Sequence, residues 1–271
     1  MIHPDAQLHP SVEVGPYAVI GAHVAIGAKT AIGAHVVLEG RTEIGEHNQI
    51  YTGAVIGAES QDKKYDGSLN LVRIGDHNRI REYVTINRAS MAEGATVIGN
   101  GNLLMAYVHV GHDCVLEDHT TIANAVSLAG HVHVESAARI SGILGVHQFV
   151  RIGRLAMIGG MSRVDRDVPP YMLVEGNPGL VRSLNTVGLQ RAGFAEQGDG
   201  TWMQQLKQAF RLLYRSSHSF SDALAQLATM TDCEPIAHLH HFLLSAQQPG
   251  RRGAIPGRRM RNRRHSESET F

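Results

Sequence analysis

At 271 residues the chain is long enough for one large domain and a smaller one. With 43% apolar and 18% charged residues, no apolar run near the ~18 residues a membrane span needs, and a start (MIHPDAQLHP) that is neither basic nor followed by an apolar core, it is expected to be a soluble cytoplasmic protein with no signal peptide or transmembrane segment. Seven of the 25 basic and two of the 25 acidic residues lie from Arg251 onward, which leaves residues 1–250 at −5 and argues against a nucleic-acid partner.

From Ile20 the chain reads in sixes: IGAHVA, IGAKTA, IGAHVV, LEGRTE, IGEHNQ, IYTGAV, IGAES. The first position is aliphatic, the second usually Gly and the fifth small or β-branched. The beat pauses after Ser60, resumes at Ile74, pauses again across Arg88–Thr96 and runs from Ile98 to Val164. A period of six is neither the 3.6 of a helix nor the 2 of a plain strand. One aliphatic per six residues provides one inward side chain per short strand, followed by a corner, where glycine is expected to supply φ > 0. Three units make an 18-residue coil, and stacked coils form parallel sheets. The spacing leaves the hand of the coil open. The pauses at 59–70 (ESQDKKYDGSLN) and 88–96 are expected to be loops leaving the scaffold, where binding groups commonly sit.

The coil domain is expected to span 1–172 and to end at Pro169-Pro170. A connector, 173–190, carries EGNPGLVRSLN. Helical patterns follow at Thr186–Arg191, Trp202–Arg215, Ser221–Met230 and Pro235–Ala246, with Ser221 as an N-cap, and 191–246 is taken as a small helical domain. The Arg-rich tail, 247–271, lacks periodicity and is expected to be disordered. Cys114 and Cys233 form no framework and are expected to be reduced thiols.

Within Asn102–Phe149 lie His109, His112, His131 and His147. In an 18-residue coil Gly130 and Gln148 stack over His112, His131 and Phe149 over Asp113, and Ala129 and His147 over Gly111. His112, Asp113, Gly130, His131, His147 and Gln148 should therefore form one patch three coils tall, with His109 one corner before it. His23, His35, His47 and His119 share the fourth position of their sixes and are expected to be solvated surface residues.

The segments LLMAYVHVGHDC, LAGHVHV, GVHQF, QDKKY and DVPPY, with the repeat around them, resemble the acyl-[acyl-carrier-protein]–UDP-N-acetylglucosamine O-acyltransferases, which begin lipid A synthesis in Gram-negative bacteria. The resemblance covers residues 1 to about 245. It implies a mainly β fold, a left-handed parallel β-helix of hexapeptide repeats followed by a small α-helical C-terminal domain. It further implies transfer of an (R)-3-hydroxyacyl group to the glucosamine 3-hydroxyl of UDP-N-acetylglucosamine. The donor is carried on the phosphopantetheine of acyl carrier protein, and no protein-bound cofactor or metal is implied. His112 matches the general base, Asp113 its orienting carboxylate and the Gly130 N–H the oxyanion donor. Gln61, Asp62, Lys64, His109, His131, His147 and Gln148 match substrate contacts, with Asp62 near the acyl 3-hydroxyl. Asn185 and Arg191 match nucleotide or phosphopantetheine contacts, and glycine at Gly160 implies a long acyl groove. The groove is implied to lie between subunits of a homotrimer. Two positions depart from the pattern: Val187 stands where an acidic residue is usual and Ala192 where a second Arg is common.

Three other readings of the same residues exist. One is a zinc enzyme of the γ-carbonic anhydrase type, using His109, His112 and His131. The second is N-acylation of an amino-sugar nucleotide. The third is a repeat scaffold without catalysis.

Overall fold

The computed structural model describes residues 1–91 and 93–257. Short strands, most of two residues, fall into three sheets, and each successive strand of the coil enters the next sheet. Two sheets have eight strands and one has ten. All pairings are parallel except that of Met172–Glu175 with Leu180–Leu184, which closes the top of the coil with an antiparallel ribbon. The coil is left-handed.

The first-position aliphatics form the core. Ile20, Leu38, Ile56, Ile80, Leu104 and Leu116 are each at most 1% exposed. Stacked aliphatics of one kind fill a narrow prism with little void, which is how a repeat this short buries enough surface.

Register runs in eighteens where the beat is unbroken, as in Ala31 beside Gln49 and Val97 beside Val115. The segment 59–70 stretches one step to 30 residues (Leu71 beside Arg41) and 88–96 stretches the next to 24 (Leu71 beside Ala95). Both excursions leave at a corner and return in register, so the sheets pass beneath them unbroken.

The glycine expectation holds at a few corners, Gly53 at φ 72° and Gly101 at φ 64°, but most are built from other residues. The left-handed residue is usually the fourth of the six: Tyr107, Asp113, His119, Ala125, His131, Ala137, Ile143, Phe149, Leu155 and Met161 all have φ between 54° and 66°. Asp and His are among the residue types that tolerate this conformation best. The second-position glycines serve packing instead. A Cβ on Gly27 would lie 2.7 Å from the carbonyl carbon of Gly45 in the next coil.

Helices α1 (Thr186–Arg191), α2 (Trp202–Arg215), α3 (Phe220–Leu227) and α4 (Glu234–Ala246) form the C-terminal part. The cap of α3 is Ser219, not Ser221. Its hydroxyl oxygen accepts from the Asp222 N–H, so the helix begins one residue earlier, at Phe220. A buried polar knot fixes α4 to the prism. Glu135 accepts from Arg151, from the Arg154 N–H and from His238 at 2.8–3.0 Å, while the other His238 nitrogen meets the Tyr171 hydroxyl at 2.9 Å.

The expected disorder from residue 247 is corrected for the segment 251–257. Arg251 grips Asp167 at 2.7–3.0 Å, Ala254 bridges Asp167, Gly257 bridges Val181, and Ile255 is 2% exposed. One buried isoleucine and one nearly buried ion pair hold a segment whose composition reads as unstructured. Residues 258–271 lie outside the described residues. Arg251→Ala would leave the Asp167 carboxylate, 5% exposed, without its cation. The expected cost is about 3 kcal/mol, read as a lower urea midpoint with an unchanged m-value.

Candidate active site

The strand His109–Val110 delivers the chain to a corner whose next residues are Gly111, His112 and Asp113. Asp113 takes the left-handed position at φ 58°, which turns its carboxylate back onto the ring of the preceding residue. His112 Nδ1 lies 2.8 Å from Asp113 Oδ2, and both side chains are 10% exposed. Burial acts to raise the Asp113 pKa, but hydrogen bonds from the Ser90 hydroxyl, His112 and the Ser90 N–H hold it below the usual carboxylate value. An ionised carboxylate can only accept, so the proton of His112 sits on Nδ1 and the Nε2 lone pair is left for chemistry.

One coil up, Gly130 faces the ring. A Cβ there would lie 2.3 Å from both Cε1 and Nε2 of His112. The imidazole occupies the space of the missing side chain. Among the described residues nothing accepts from the Gly130 N–H, whereas the next N–H, of His131, donates to the His112 carbonyl at 2.9 Å. His131 meets His112 edge-on at 5.1 Å and stacks on Phe149 at 4.6 Å. Burial lowers the His131 pKa, with Asp113 opposing and His112 adding to the fall. His109 Nδ1 bonds the Thr85 hydroxyl at 2.8 Å, and burial, then His112, lowers its pKa.

These groups open into a cavity of about 310 Å³ lined by Gln61, Asp62, Lys63, Asn87, His109, Gly111, His112, Ala129, Gly130 and Gln148. Lys63, not Lys64, is on the lining. The Lys64 N–H bonds Asp62 Oδ1 at 2.9 Å, a local turn that leaves the Lys64 side chain exposed and off the lining. His147 is exposed beside the patch and bonds the Gln148 carbonyl at 3.0 Å.

Three expected site residues lie elsewhere in this chain. Gly160 sits at the prism corner that carries Tyr107, Ala125 and Ile143, so His112 and Gly160 flank opposite edges of one sheet. Asn185 is buried and used locally: it caps α1 through the Gly188 N–H at 3.0 Å and donates to the Leu155 carbonyl at 2.9 Å. Arg191 is exposed at the end of α1.

The second excursion and the strand end just before it supply groups that the six-residue beat does not mark. Asn87 is 5% exposed and lines the cavity, with its amide nitrogen on the Glu59 carbonyl and its Oδ1 unpaired. Arg88, 7% exposed, holds the first excursion in place through Glu59 at 3.1 Å and the Tyr65 hydroxyl at 2.8 Å. Ser90 touches both members of the His–Asp pair. The one signal available in sequence was that a loop on a rigid scaffold is where such groups tend to be.

His112, Asp113 and His131 bring possible ligand atoms within 4.8 Å of one another. The set suits a proton-transfer pair better than zinc. His112 Nδ1 and Asp113 Oδ2, at 2.8 Å, stand closer than the roughly 3.3 Å between two ligands of one tetrahedral zinc. His109 belongs to a separate contact, with Thr85.

Comparison with known proteins points one way. A family profile described as UDP N-acetylglucosamine O-acyltransferase, domain 2, matches residues 167–255, and the bacterial transferase hexapeptide profile matches 95–130. The acyl-[acyl-carrier-protein]–UDP-N-acetylglucosamine O-acyltransferase of Gloeothece citriformis is 59% identical over 82% of this chain and 80% of its own length. Its counterpart in Synechocystis is 57% identical over 83% and 80%. The crystal structure of UDP-N-acetylglucosamine O-acyltransferase from Moraxella catarrhalis superposes with a TM-score of 0.83 at 39% identity, covering 94% of this chain and 99% of that one.

Proposed function

Since the chain belongs to the acyl-[acyl-carrier-protein]–UDP-N-acetylglucosamine O-acyltransferase family, we propose that it moves an (R)-3-hydroxyacyl group from acyl carrier protein to the 3-hydroxyl of UDP-N-acetylglucosamine, the opening step of lipid A biosynthesis. His112 Nε2 takes the proton of the sugar hydroxyl as its oxygen attacks the thioester carbonyl. The negative charge that develops on the carbonyl oxygen is met by the Gly130 N–H. Asp113 stabilises the imidazolium while it exists. When the C–S bond breaks, the same proton passes to the phosphopantetheine sulfur, so the base is regenerated and carrier thiol and acylated sugar leave. The reaction so written uses no protein-bound cofactor.

The observation that carries this reading is the fit of the His112 ring over Gly130, with Asp113 behind it. Asp62 and Gln61 from the first excursion, with His109, His131, His147 and Gln148, are proposed to hold the acyl and sugar groups, and Lys63 or Lys64 the charged part of the donor or acceptor. Arg191 is proposed as a phosphopantetheine or nucleotide contact. Asn185 is proposed to act there through the α1 terminus it caps.

The separation of His112 from Gly160 by the width of a sheet supports a homotrimer in which a groove between two copies uses the His112 edge of one and the Gly160 edge of the next. No described helix is long and apolar enough to cross a membrane, in keeping with a cytoplasmic enzyme that meets soluble carrier protein.

The test is a series of 3-hydroxyacyl carrier proteins offered with UDP-N-acetylglucosamine and with its 3-amino analogue. The expected products are the 3-O-acyl sugar nucleotide and carrier thiol, with a preference for long chains and discrimination near fourfold per methylene. Gly160→Met should shorten the preferred chain, because the position is open and a Cβ there meets nothing closer than 3.4 Å. Exclusive use of the amino acceptor, or no transfer with any donor, would overturn the assignment.

A further inference from the structure

Asp113 stands between two imidazoles. Its Oδ2 is 2.8 Å from His112 Nδ1 and 3.7 Å from His131 Nε2. A carboxylate in that position can serve either ring, and only one choice leaves His112 in the tautomer that can act as a base. We infer that Ser90 is the positioning residue that assigns Asp113 to His112. The inference rests on the reading of His112 as the base.

Ser90 supplies two donors to the same oxygen. Its hydroxyl is 2.6 Å from Asp113 Oδ2 and its backbone N–H 3.0 Å. Because the hydroxyl proton is turned to the carboxylate, the lone pairs of Oγ face His112 Nδ1, 3.0 Å away. The Nδ1 proton therefore has two acceptors, Asp113 Oδ2 and Ser90 Oγ, on one side of the ring, which holds the ring orientation as well as the tautomer. The Asp113 N–H is itself tied to Thr96 Oγ1 at 2.9 Å, so the backbone of the corner cannot follow if the carboxylate turns.

Ser90 is well braced for this task. Three residues before it are buried and anchored: Asn87 on the Glu59 carbonyl, Arg88 on Glu59 and Tyr65, and the Ala89 carbonyl on Asn70 at 3.0 Å. The Met91 carbonyl accepts from Gly94 on the other side. The charged and titratable groups facing the cluster are His109 on the strand that leads into the corner, His131 on the next coil, and Asp62 and Lys63 across the cavity.

The experiment uses the full chain with Ser90→Ala and Ser90→Thr, assayed on the donor and acceptor that wild type turns over. Ser90→Ala should lower kcat roughly 10- to 100-fold, the loss of one hydrogen bond to a charged group, with both KM values within about twofold. Ser90→Thr keeps the hydroxyl and should stay within about threefold of wild type. Nitrogen-15 spectra of the histidines without substrate should show His112 as the Nδ1–H tautomer in wild type and a mixture in Ser90→Ala. That arm needs no turnover, so it separates an error about Ser90 from an error about the reaction. A Ser90→Ala kcat within about twofold of wild type, a Ser90→Thr as impaired as Ser90→Ala, or an unchanged tautomer would each overturn the inference.

Discussion

His112→Ala is expected to lower kcat by about 10³-fold, within the span attributable to a positioned general base, while the protein stays folded. The side chain makes no core contact. It touches Asp113, Ser90, His131 and the bare face of Gly130. Its removal leaves Asp113 still receiving both donors of Ser90, so no buried charge is orphaned. The far-ultraviolet spectrum and melting temperature should therefore match wild type closely. The KM values should change little, because the ring is asked to act on the proton in flight more than on the bound ground state. Turnover within tenfold of wild type would place the base elsewhere, His131 being the first candidate by proximity.

Gly130→Ala tests the opposite side of the same contact. Gly130 does not have positive φ, so its backbone accepts alanine without strain. The new methyl group would nonetheless stand 2.3 Å from two atoms of the His112 ring and 2.9 Å from its Nδ1. A side chain at a corner can swing aside, so the expected loss of stability is small, about 1–2 kcal/mol. The swing carries Nδ1 off Asp113 and displaces Nε2 from beside the Gly130 N–H. Base and oxyanion donor are thus disturbed by one carbon atom, and kcat should fall about 10²-fold or more. A variant that melts like wild type yet is nearly inactive is the expected result. One that is fully active would show that the ring does not rest on Gly130 during turnover.

Much of this geometry could be read from the chain because the coil is periodic. Each first-position aliphatic has one destination, the prism axis, so counting in eighteens predicts that Gly130 faces His112 and His131 faces Asp113, as the close approach of Gly130 to the His112 ring and the 3.7 Å between His131 Nε2 and Asp113 Oδ2 show. Where the period lapses, the inference lapsed with it. Ser90 and Arg88 reach the site from an excursion that enlarges one step of the register to 24 residues, Asn87 from the strand end just before it, and no repeat links them to His112. The step Thr85 to His109 spans that same excursion. Local chemistry misled in three places. Glycine carries only a few corners, such as Gly53 and Gly101; most are carried by Asp, His and other residues, while second-position glycine relieves contact between coils. Ser219 and Ser221 both precede an apolar run, and the choice of cap rests on a single hydrogen bond. The Arg-rich segment reads as solvated, yet Arg251 finds a buried aspartate 84 residues away in the chain.

The corner rule has one more consequence, for how such a chain can change length. Because a left-handed residue recurs at most corners while every third strand returns to the same sheet, the lower coils behave as interchangeable storeys. Removing one whole coil, such as residues 21–38, would shorten the prism and leave the arrangement at His112 untouched. Removing a single six between the excursions and His112, such as residues 98–103, would keep every aliphatic inside but rotate His112 by one face relative to what lies below it. The loop at 59–70 would then overhang the wrong edge. Between the first excursion and His112, a gain or loss that keeps both on the same edge is therefore restricted to multiples of three hexads, or to excursions such as 88–96 that leave and rejoin at one corner.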